Sequence, residues 1–152
     1  MTRVMATAAI ALLASMSPAA VGCGGGAAET PPAAAGGAGG DQVAQGQALY
    51  TEHCASCHGA SGEGNGKAPA VVGISKGALP LDPRPGSKRS VQFKTVAEVA
   101  GWVKADMPPD APGSLTDPQY FAILAFDLKA NGVDLGGKTL DAPLAATLTI
   151  PR

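Results

Sequence analysis

The segment EHCASCHG, residues 52–59, constrains this 152-residue chain more than any other feature. Cys54 and Cys57 are three residues apart, so on a helical turn both side chains project from the same face. His58 follows the second cysteine directly. Cysteine pairs at this spacing occur in metal sites, in redox dithiols and in haem attachment sites, and the rest of the chain has to distinguish among them.

The order Cys-x-x-Cys-His matches the attachment signature of haem c. Cys54 and Cys57 on one helical turn can both reach the vinyl groups on one edge of a porphyrin, and His58 can then serve as the proximal iron ligand. A redox dithiol would favour a βαβ context, and a structural zinc site would need a second ligand pair after His58; the sequence has neither. An ordinary disulfide remains an alternative, although it gives His58 no role. The motif therefore predicts one covalently attached haem c with its iron.

Met107 is the candidate for the second axial ligand of that iron. The three other methionines lie in the first 16 residues, which we expect to be removed, so Met107 is the only methionine of the mature chain. It stands 49 residues after His58 and directly before Pro108. Methionines more often pack in a core, but a lone methionine in a chain with a haem anchor favours iron ligation. The other histidine, His53, lies too close to His58 along the chain to reach the opposite haem face, and we interpret it as a surface residue.

The first 22 residues predict an export signal. Arg3 is the only charge before Glu29, and the short apolar run VMATAAIALL follows it, which is typical of a signal peptide and too short to span a bilayer. Small residues precede Cys23, and this pattern resembles a bacterial lipoprotein signal, in which Cys23 would carry the lipid. Ordinary signal cleavage is the alternative, because Ala20 stands where the lipoprotein pattern has a larger aliphatic residue. We expect an exported, periplasmic protein tethered to the membrane through Cys23.

A flexible linker and a first helix follow the signal. Residues 23–40 are a low-complexity stretch of glycine, alanine and proline, which we expect to be disordered. The first helix is predicted to start at Asp41 as its N-cap and to run to about His53. Gly46 inside it costs about 1 kcal/mol relative to alanine and is tolerated best where another helix crosses closely. The glycine-rich residues 59–73 are predicted to be a loop.

Two further helices are predicted, and no strong strand pattern is present. Thr95 and Glu98 have the spacing of a capping box, and the prolines after Met107 end that helix. Asp117 is predicted to cap the last helix, which Asn131 and Gly132 end. Apolar residues recur on one face of each helix; these are Val96, Val99 and Val103 in the first, and Phe121, Leu124, Ala125 and Leu128 in the second.

Four segments together resemble class I cytochromes c: GQALYTEHCASCHG, GKAPAVVG, MPPDAPGSLTD and ILAFDLKANG. The resemblance implies an all-α fold of three to five helices around one haem, in a domain placed at residues 41–136 with a C-terminal extension at residues 137–152. It also implies that the first and last helices cross at Gly46, with Tyr50 and Phe126 packed nearby. The carbonyl of Pro69 would accept the ring N–H of His58 and so orient that ligand.

The predicted function is electron transfer rather than catalysis. With His58 and Met107 both on the iron, no substrate could bind there, so we expect a non-enzymatic carrier with a redox protein donor and acceptor and no small-molecule substrate. A net charge of −1 gives no indication of a nucleic-acid partner. The tail LKANGVDLGGKTLD also resembles cytochromes that serve as electron-accepting subunits of periplasmic dehydrogenases, which is the second interpretation. A haem sensor or enzyme in which Met107 leaves the iron is the third.

Two residue sets complete the sequence-based prediction. A dry haem pocket would have an apolar wall, for which the candidates are Val71, Val72, Ile74, Leu79 and Trp102. A basic stretch without an acid in it is predicted to be a solvated loop, with contact to haem propionates or to an acidic partner as the alternative; its members are Arg84, Lys88, Arg89 and Lys94.

Overall fold

The computed structural model describes residues 39–73, 82–83, 85–86 and 88–150. These residues form five helices, α1 (Gly40–His53), α2 (Ala55–His58), α3 (Val96–Asp106), α4 (Asp117–Ala130) and α5 (Ala142–Thr147). Within the described ranges the only β pairing is an isolated antiparallel bridge between Thr95 and Thr149, so the all-α prediction is confirmed. None of the described helices has the length and apolar character needed to cross a bilayer. The predicted signal peptide, Cys23 and nearly all of the linker lie outside the described residues.

Helices α1 and α4 cross at Gly46, as the resemblance implied. Gly46 is buried, and a Cβ atom built on it would overlap the backbone carbonyl group of Ala122, whose carbon would lie only 2.5 Å away. Beside the crossing, the rings of Tyr50 and Phe126 pack with their centroids 5.2 Å apart and tilted by 49°. The crossing therefore requires a residue without a side chain at position 46.

The start of α1 differs from the prediction. The N-cap is Gly39, without a side-chain cap, and Asp41 lies inside the first turn, where its negative charge still complements the helix dipole. Instead, the C-terminal segment holds this helix end. Gly39 N–H donates to the carbonyl of Gly137 at 3.0 Å, and the Gln42 side chain exchanges two hydrogen bonds with the backbone of Leu140, at 2.8 and 2.7 Å.

The caps of α3 confirm the prediction, whereas the N-cap of α4 corrects it. Thr95 and Glu98 form the predicted capping box, with Glu98 Oε2 accepting Thr95 N–H at 2.9 Å. In α4 the cap is Thr116, not Asp117, and Thr116 N–H donates to Gln119 Oε1 at 2.8 Å. Asp117 occupies the first helical position, and its side chain accepts from Lys104 Nζ of α3 at 2.5 Å. This salt bridge is exposed, so it contributes little to stability.

The predicted C-terminal extension contributes to the same hydrophobic core as α3 and α4. Leu140 is only 1% exposed, and Ala145 and Ile150 are also buried against residues of those helices. Val96 N–H donates to the Leu148 carbonyl, and Ile150 N–H donates to the Lys94 carbonyl, each at 3.0 Å. The chain after residue 136 therefore covers the start of α3.

Candidate cofactor site

The Cys-x-x-Cys-His motif lies where α1 passes into α2. Cys54 N–H donates to the Tyr50 carbonyl at 2.8 Å and so continues α1, while its own carbonyl accepts from the N–H groups of Cys57 and His58, at 3.1 and 2.9 Å. Both cysteines are half-buried free thiols. Burial, and to a smaller degree the nearby Asp127, raises the pKa of Cys54 to about 12, so its thiol is neutral. The motif is therefore one tight turn that carries two free thiols.

The His58 ring is held by the backbone of the following loop. Its Nδ1 lies 2.8 Å from the carbonyl oxygen of Pro69, which is the hydrogen bond that the resemblance implied. A carbonyl oxygen can only accept, so Nδ1 carries the proton and Nε2 is left with a free lone pair. This arrangement fixes the tautomer that a metal ligand requires.

Two helices position the loop that carries Pro69. From α1, the Tyr50 hydroxyl donates to the Gly59 carbonyl at 3.0 Å. From the end of α4, Asn131 Nδ2 donates to the Val71 carbonyl at 2.8 Å, and Asn131 Oδ1 accepts from Gly73 N–H at 2.7 Å. The sequence predicted Asn131 only as the end of a helix. The Asn131 side chain could have indicated this role, because an amide has both donors and acceptors. It can therefore bond to the N–H and C=O groups of a loop that has no helical or strand partners.

Met107 lies directly after the last residue of α3, at the place where the prolines end the helix. Its N–H donates to the Val103 carbonyl at 2.8 Å, and its own carbonyl accepts from the hydroxyl of Tyr120 in α4 at 2.9 Å. Tyr120 is only 3% exposed. Tyr120 was not among the predicted site residues, although a hydroxyl on the buried side of a helix generally needs a hydrogen-bond partner.

An apolar cavity is lined by residues of both α3 and α4. Seven aliphatic side chains and one carboxyl group line it: Val71, Val96, Val99, Val103, Leu124, Leu128, Ile150 and Asp127. Val71 was a predicted wall residue, whereas Trp102 is half-buried and meets the Phe93 ring edge-on at 6.3 Å. The other aliphatic candidate within the described residues, Val72, packs against Gly62, and Ile74 and Leu79 lie outside those residues.

Asp127 is the one polar residue among those that line this cavity, and it was not among the predicted site residues. The residue is 9% exposed, and among the described residues its Oδ1 has no hydrogen-bond partner. Burial raises the pKa of Asp127 to about 8 because the low-dielectric surroundings disfavour the charged form. A single carboxyl group inside an otherwise apolar run of α4 was the sequence signal for it.

The basic stretch is only partly a solvated loop. Lys88 and Lys94 are exposed as predicted, but Arg89 is 8% exposed. Its guanidinium lies 3.8 Å from the centre of the Phe93 ring and donates to the Val91 carbonyl at 2.8 Å. Cation–π contact and hydrogen bonding therefore make Arg89 a structural residue, while Arg84 lies outside the described residues.

His53 stands apart from these groups. It is half-buried at the end of α1, and its Nε2 lies 3.7 Å from a carboxylate oxygen of its exposed neighbour Glu52. In the described part of the chain, no three side chains of His, Cys, Asp or Glu come together in a metal-binding group.

The donor set fits a covalently attached haem. Cys54 and Cys57 offer two free thiols from one turn, and His58 offers an oriented Nε2 atom. Met107, directly after the end of α3, offers a thioether sulfur of the kind that binds haem iron. The aliphatic wall between α3 and α4 suits a large apolar ring.

Comparison with known proteins agrees with this chemistry. A family model described as Cytochrome c matches residues 43–128. A chain in the crystal structure of the sulfane dehydrogenase SoxCD from Paracoccus pantotrophus is 32% identical, with a TM-score of 0.55, and the alignment covers 72% of this chain and 53% of that one. The chain thus spans about half the length of that relative. No curated protein sequence matches it.

Proposed function

The chain belongs to the cytochrome c family, and from that membership we propose that it is an exported single-electron carrier whose haem iron is held by His58 and Met107. Haem c is its cofactor, and Cys54 and Cys57 stand at the spacing of the two thioether links. When bound, the haem supplies an iron that alternates between the Fe(II) and Fe(III) states.

The observation that carries the proposal is the hydrogen bond between His58 Nδ1 and the Pro69 carbonyl at 2.8 Å. It leaves Nε2 as the nitrogen that can bind iron, and it raises the basicity of that nitrogen. The loop that provides the carbonyl is itself fixed by Tyr50 and Asn131. His58 is thus oriented before the iron arrives, which reduces the rearrangement on electron transfer.

Met107 supports the second half of the proposal. The bonds to Val103 and Tyr120 hold its backbone between α3 and α4, so its position does not depend on the side chain alone. A His/Met pair raises the reduction potential relative to two histidines, and an apolar wall shifts it in the same direction. With both axial positions filled, substrate has no access to the iron, which favours a carrier over an enzyme.

A second candidate function is that of an electron-accepting component within a dehydrogenase complex. The similarity to a chain of a sulfane dehydrogenase, at 32% identity over 72% of this chain, favours it. Both candidates use the same haem and differ in whether the partner dissociates. Purification from its native host at low and high salt distinguishes them: a free carrier elutes alone in both, whereas a subunit elutes with a large partner.

Export and lipid attachment through Cys23 are also part of the proposal, and they rest on the sequence of the first 23 residues. A periplasmic location agrees with the attachment of haem c outside the bacterial cytoplasm. Mass spectrometry of the mature protein provides the test. We expect an N-terminal Cys23 with acyl chains and no residues 1–22, and an unmodified Cys23 would contradict the lipid anchor.

The axial ligands are tested by spectroscopy of the oxidised protein. We expect a sulfur-to-iron charge-transfer band that Met107→Ala removes while the haem stays covalently bound. Replacement of Met107 should also let carbon monoxide bind the reduced iron. An unchanged spectrum in Met107→Ala would show that another residue is the ligand, and ready carbon monoxide binding by the wild-type protein would favour a sensor or enzyme.

A further inference from the structure

Asp127 lies in the apolar wall beside the attachment motif, where an aliphatic residue would be expected. The cavity that it lines is otherwise aliphatic, and its electrostatic influence reaches Cys54, the first attachment cysteine. The carboxyl group is buried, and its Oδ1 accepts no hydrogen bond from a described residue. A buried carboxyl oxygen without a hydrogen-bond partner lowers the stability of the fold, so we ask what function Asp127 has in this wall.

We propose that Asp127 is a redox-linked proton site, which binds a proton when the protein is reduced and releases it when the protein is oxidised. The inference rests on the proposed electron-transfer function and adds proton exchange to it. As a redox partner delivers one electron, the Asp127 carboxylate takes one proton from water and becomes a neutral carboxylic acid. The charge inside the pocket is then the same before and after the step, and oxidation reverses both transfers.

Reduction of the haem and protonation of Asp127 are coupled through the charges of the iron and the carboxylate. Ferric haem carries one more positive charge than ferrous haem, and an ionised Asp127 stabilises that extra charge. In a buried wall the attraction is stronger than in water because the effective dielectric constant is low. Reduction therefore raises the affinity of Asp127 for its proton, and a rise in pH lowers the reduction potential.

The pH range of the exchange is set by burial. Burial raises the pKa of Asp127 to about 8, which places its titration near neutral pH rather than near 4. An exposed aspartate would stay ionised in both redox states and would bind no proton.

Among the described residues that face Asp127, no other side chain is expected to exchange a proton near neutral pH. From α1, Tyr50 keeps its proton, because burial raises the pKa of its phenol still further above the usual value. Cys54 becomes a thioether on attachment and then has no proton. The other packed elements present aliphatic side chains, which are Val71 from the loop, Val96, Val99 and Val103 from α3, and Ile150 from the C-terminal segment.

The test is a redox titration of the haem-loaded full chain between about pH 5.5 and 9. For one electron, a tenfold change in proton concentration shifts the potential by at most about 59 mV. We expect the wild-type potential to fall with pH, and Asp127→Asn to lose much of that slope. Haem propionates also titrate, but they are the same in both proteins. Glu52→Gln, which removes an exposed carboxylate next to the motif, should keep the wild-type slope.

A second measurement identifies the proton directly. In the reduced-minus-oxidised infrared difference spectrum, the wild-type protein should gain a carbonyl band of a protonated carboxylic acid, and Asp127→Asn and Asp127→Leu should lack it. Equal slopes and equal infrared bands in the wild type and both variants would overturn the inference while leaving the electron carrier intact. If the wild-type chain instead binds no haem or shows no one-electron couple, the proposed function itself fails.

Discussion

The hydroxyl of Tyr120 donates a hydrogen bond to the carbonyl of Met107 at 2.9 Å, and this bond ties the residue after α3 to the buried face of α4. Met107 is in turn bonded through its N–H to Val103. Both backbone groups of the proposed iron ligand are thus satisfied by neighbouring helices. The thioether is presented from a fixed backbone, although it belongs to a non-helical segment.

Tyr120→Phe should therefore weaken the bond between Met107 and the iron without preventing haem attachment. Loss of one hydrogen bond lowers the free energy of unfolding by about 1 kcal/mol. When the pH or the temperature is raised, the variant should therefore lose its sulfur-to-iron band earlier than the wild type. Tyr50→Phe is the matched control, because it removes an equivalent bond of 3.0 Å to the Gly59 carbonyl on the His58 side. The prediction is wrong if the two variants lose the band under the same conditions.

The crossing of α1 and α4 makes a second prediction. Gly46→Ala places a methyl group against the Ala122 carbonyl, so the helices must separate, and overpacking of this kind costs about 1–3 kcal/mol or more. Gly101→Ala is the control, since Gly101 also lies within a helix but has open space around its Cβ position. That substitution should stabilise the protein by about 0.5–1 kcal/mol. Urea denaturation of the haem-loaded proteins measures both effects, and equal shifts in the two variants would contradict the close crossing.

Asn131 supports the loop that orients His58. Asn131→Ala removes the hydrogen bonds to Val71 and Gly73 and leaves two half-buried backbone groups without their partner, at a cost of about 1–3 kcal/mol each. We expect lower stability and faster imidazole exchange onto the iron, because the Pro69 carbonyl is less firmly held. Asn65→Ala removes two exposed hydrogen bonds, one to the Ser56 carbonyl and one from the Lys67 N–H, and should change both quantities little. Similar changes in both variants would show that Asn131 does not support the loop that orients His58.

Local sequence patterns predicted much of this arrangement. The capping box of Thr95 and Glu98 depends on a few neighbouring residues, so the local sequence was sufficient for it. The crossing of the first and last helices at Gly46 was implied by the resemblance to class I cytochromes c. Helix starts were less certain, because two adjacent residues can both satisfy a cap. At the start of α4 the chain uses Thr116 rather than Asp117.

Other features depended on contacts between distant segments. Gln42 and Leu140 are 98 residues apart, and Tyr120 meets Met107 only once α3 and α4 are packed. Arg89 belongs to the basic stretch, yet it is buried, because it contacts the Phe93 ring and hydrogen-bonds to the Val91 carbonyl. For Asp127, the pattern of α4 showed an apolar face but not which cavity that face would line. Such roles follow from tertiary packing, which periodicity does not specify.

Stability should also depend on pH through Asp127. Its folded-state pKa of about 8 lies above the value near 4 of an unfolded chain. Below about pH 4 the carboxyl group is neutral in both the folded and the unfolded protein, so its ionisation does not lower stability. As the pH rises from about 4 to 8, the unfolded chain ionises while the reduced folded protein keeps its proton, and stability falls by about 1.4 kcal/mol per pH unit at most. Asp127→Asn should be close to the wild type at low pH and more stable near pH 8.

The measurement is urea denaturation of the reduced haem-loaded protein, the state in which Asp127 keeps its proton, at several pH values between about 4.5 and 8.5. Asp134→Asn is the control, because Asp134 is an exposed aspartate just beyond the end of α4, and its curve should stay parallel to that of the wild type. The difference between Asp127→Asn and the wild type should grow steadily with pH, since the variant side chain cannot ionise. A constant difference across the range would mean that Asp127 keeps an ordinary pKa in the folded protein.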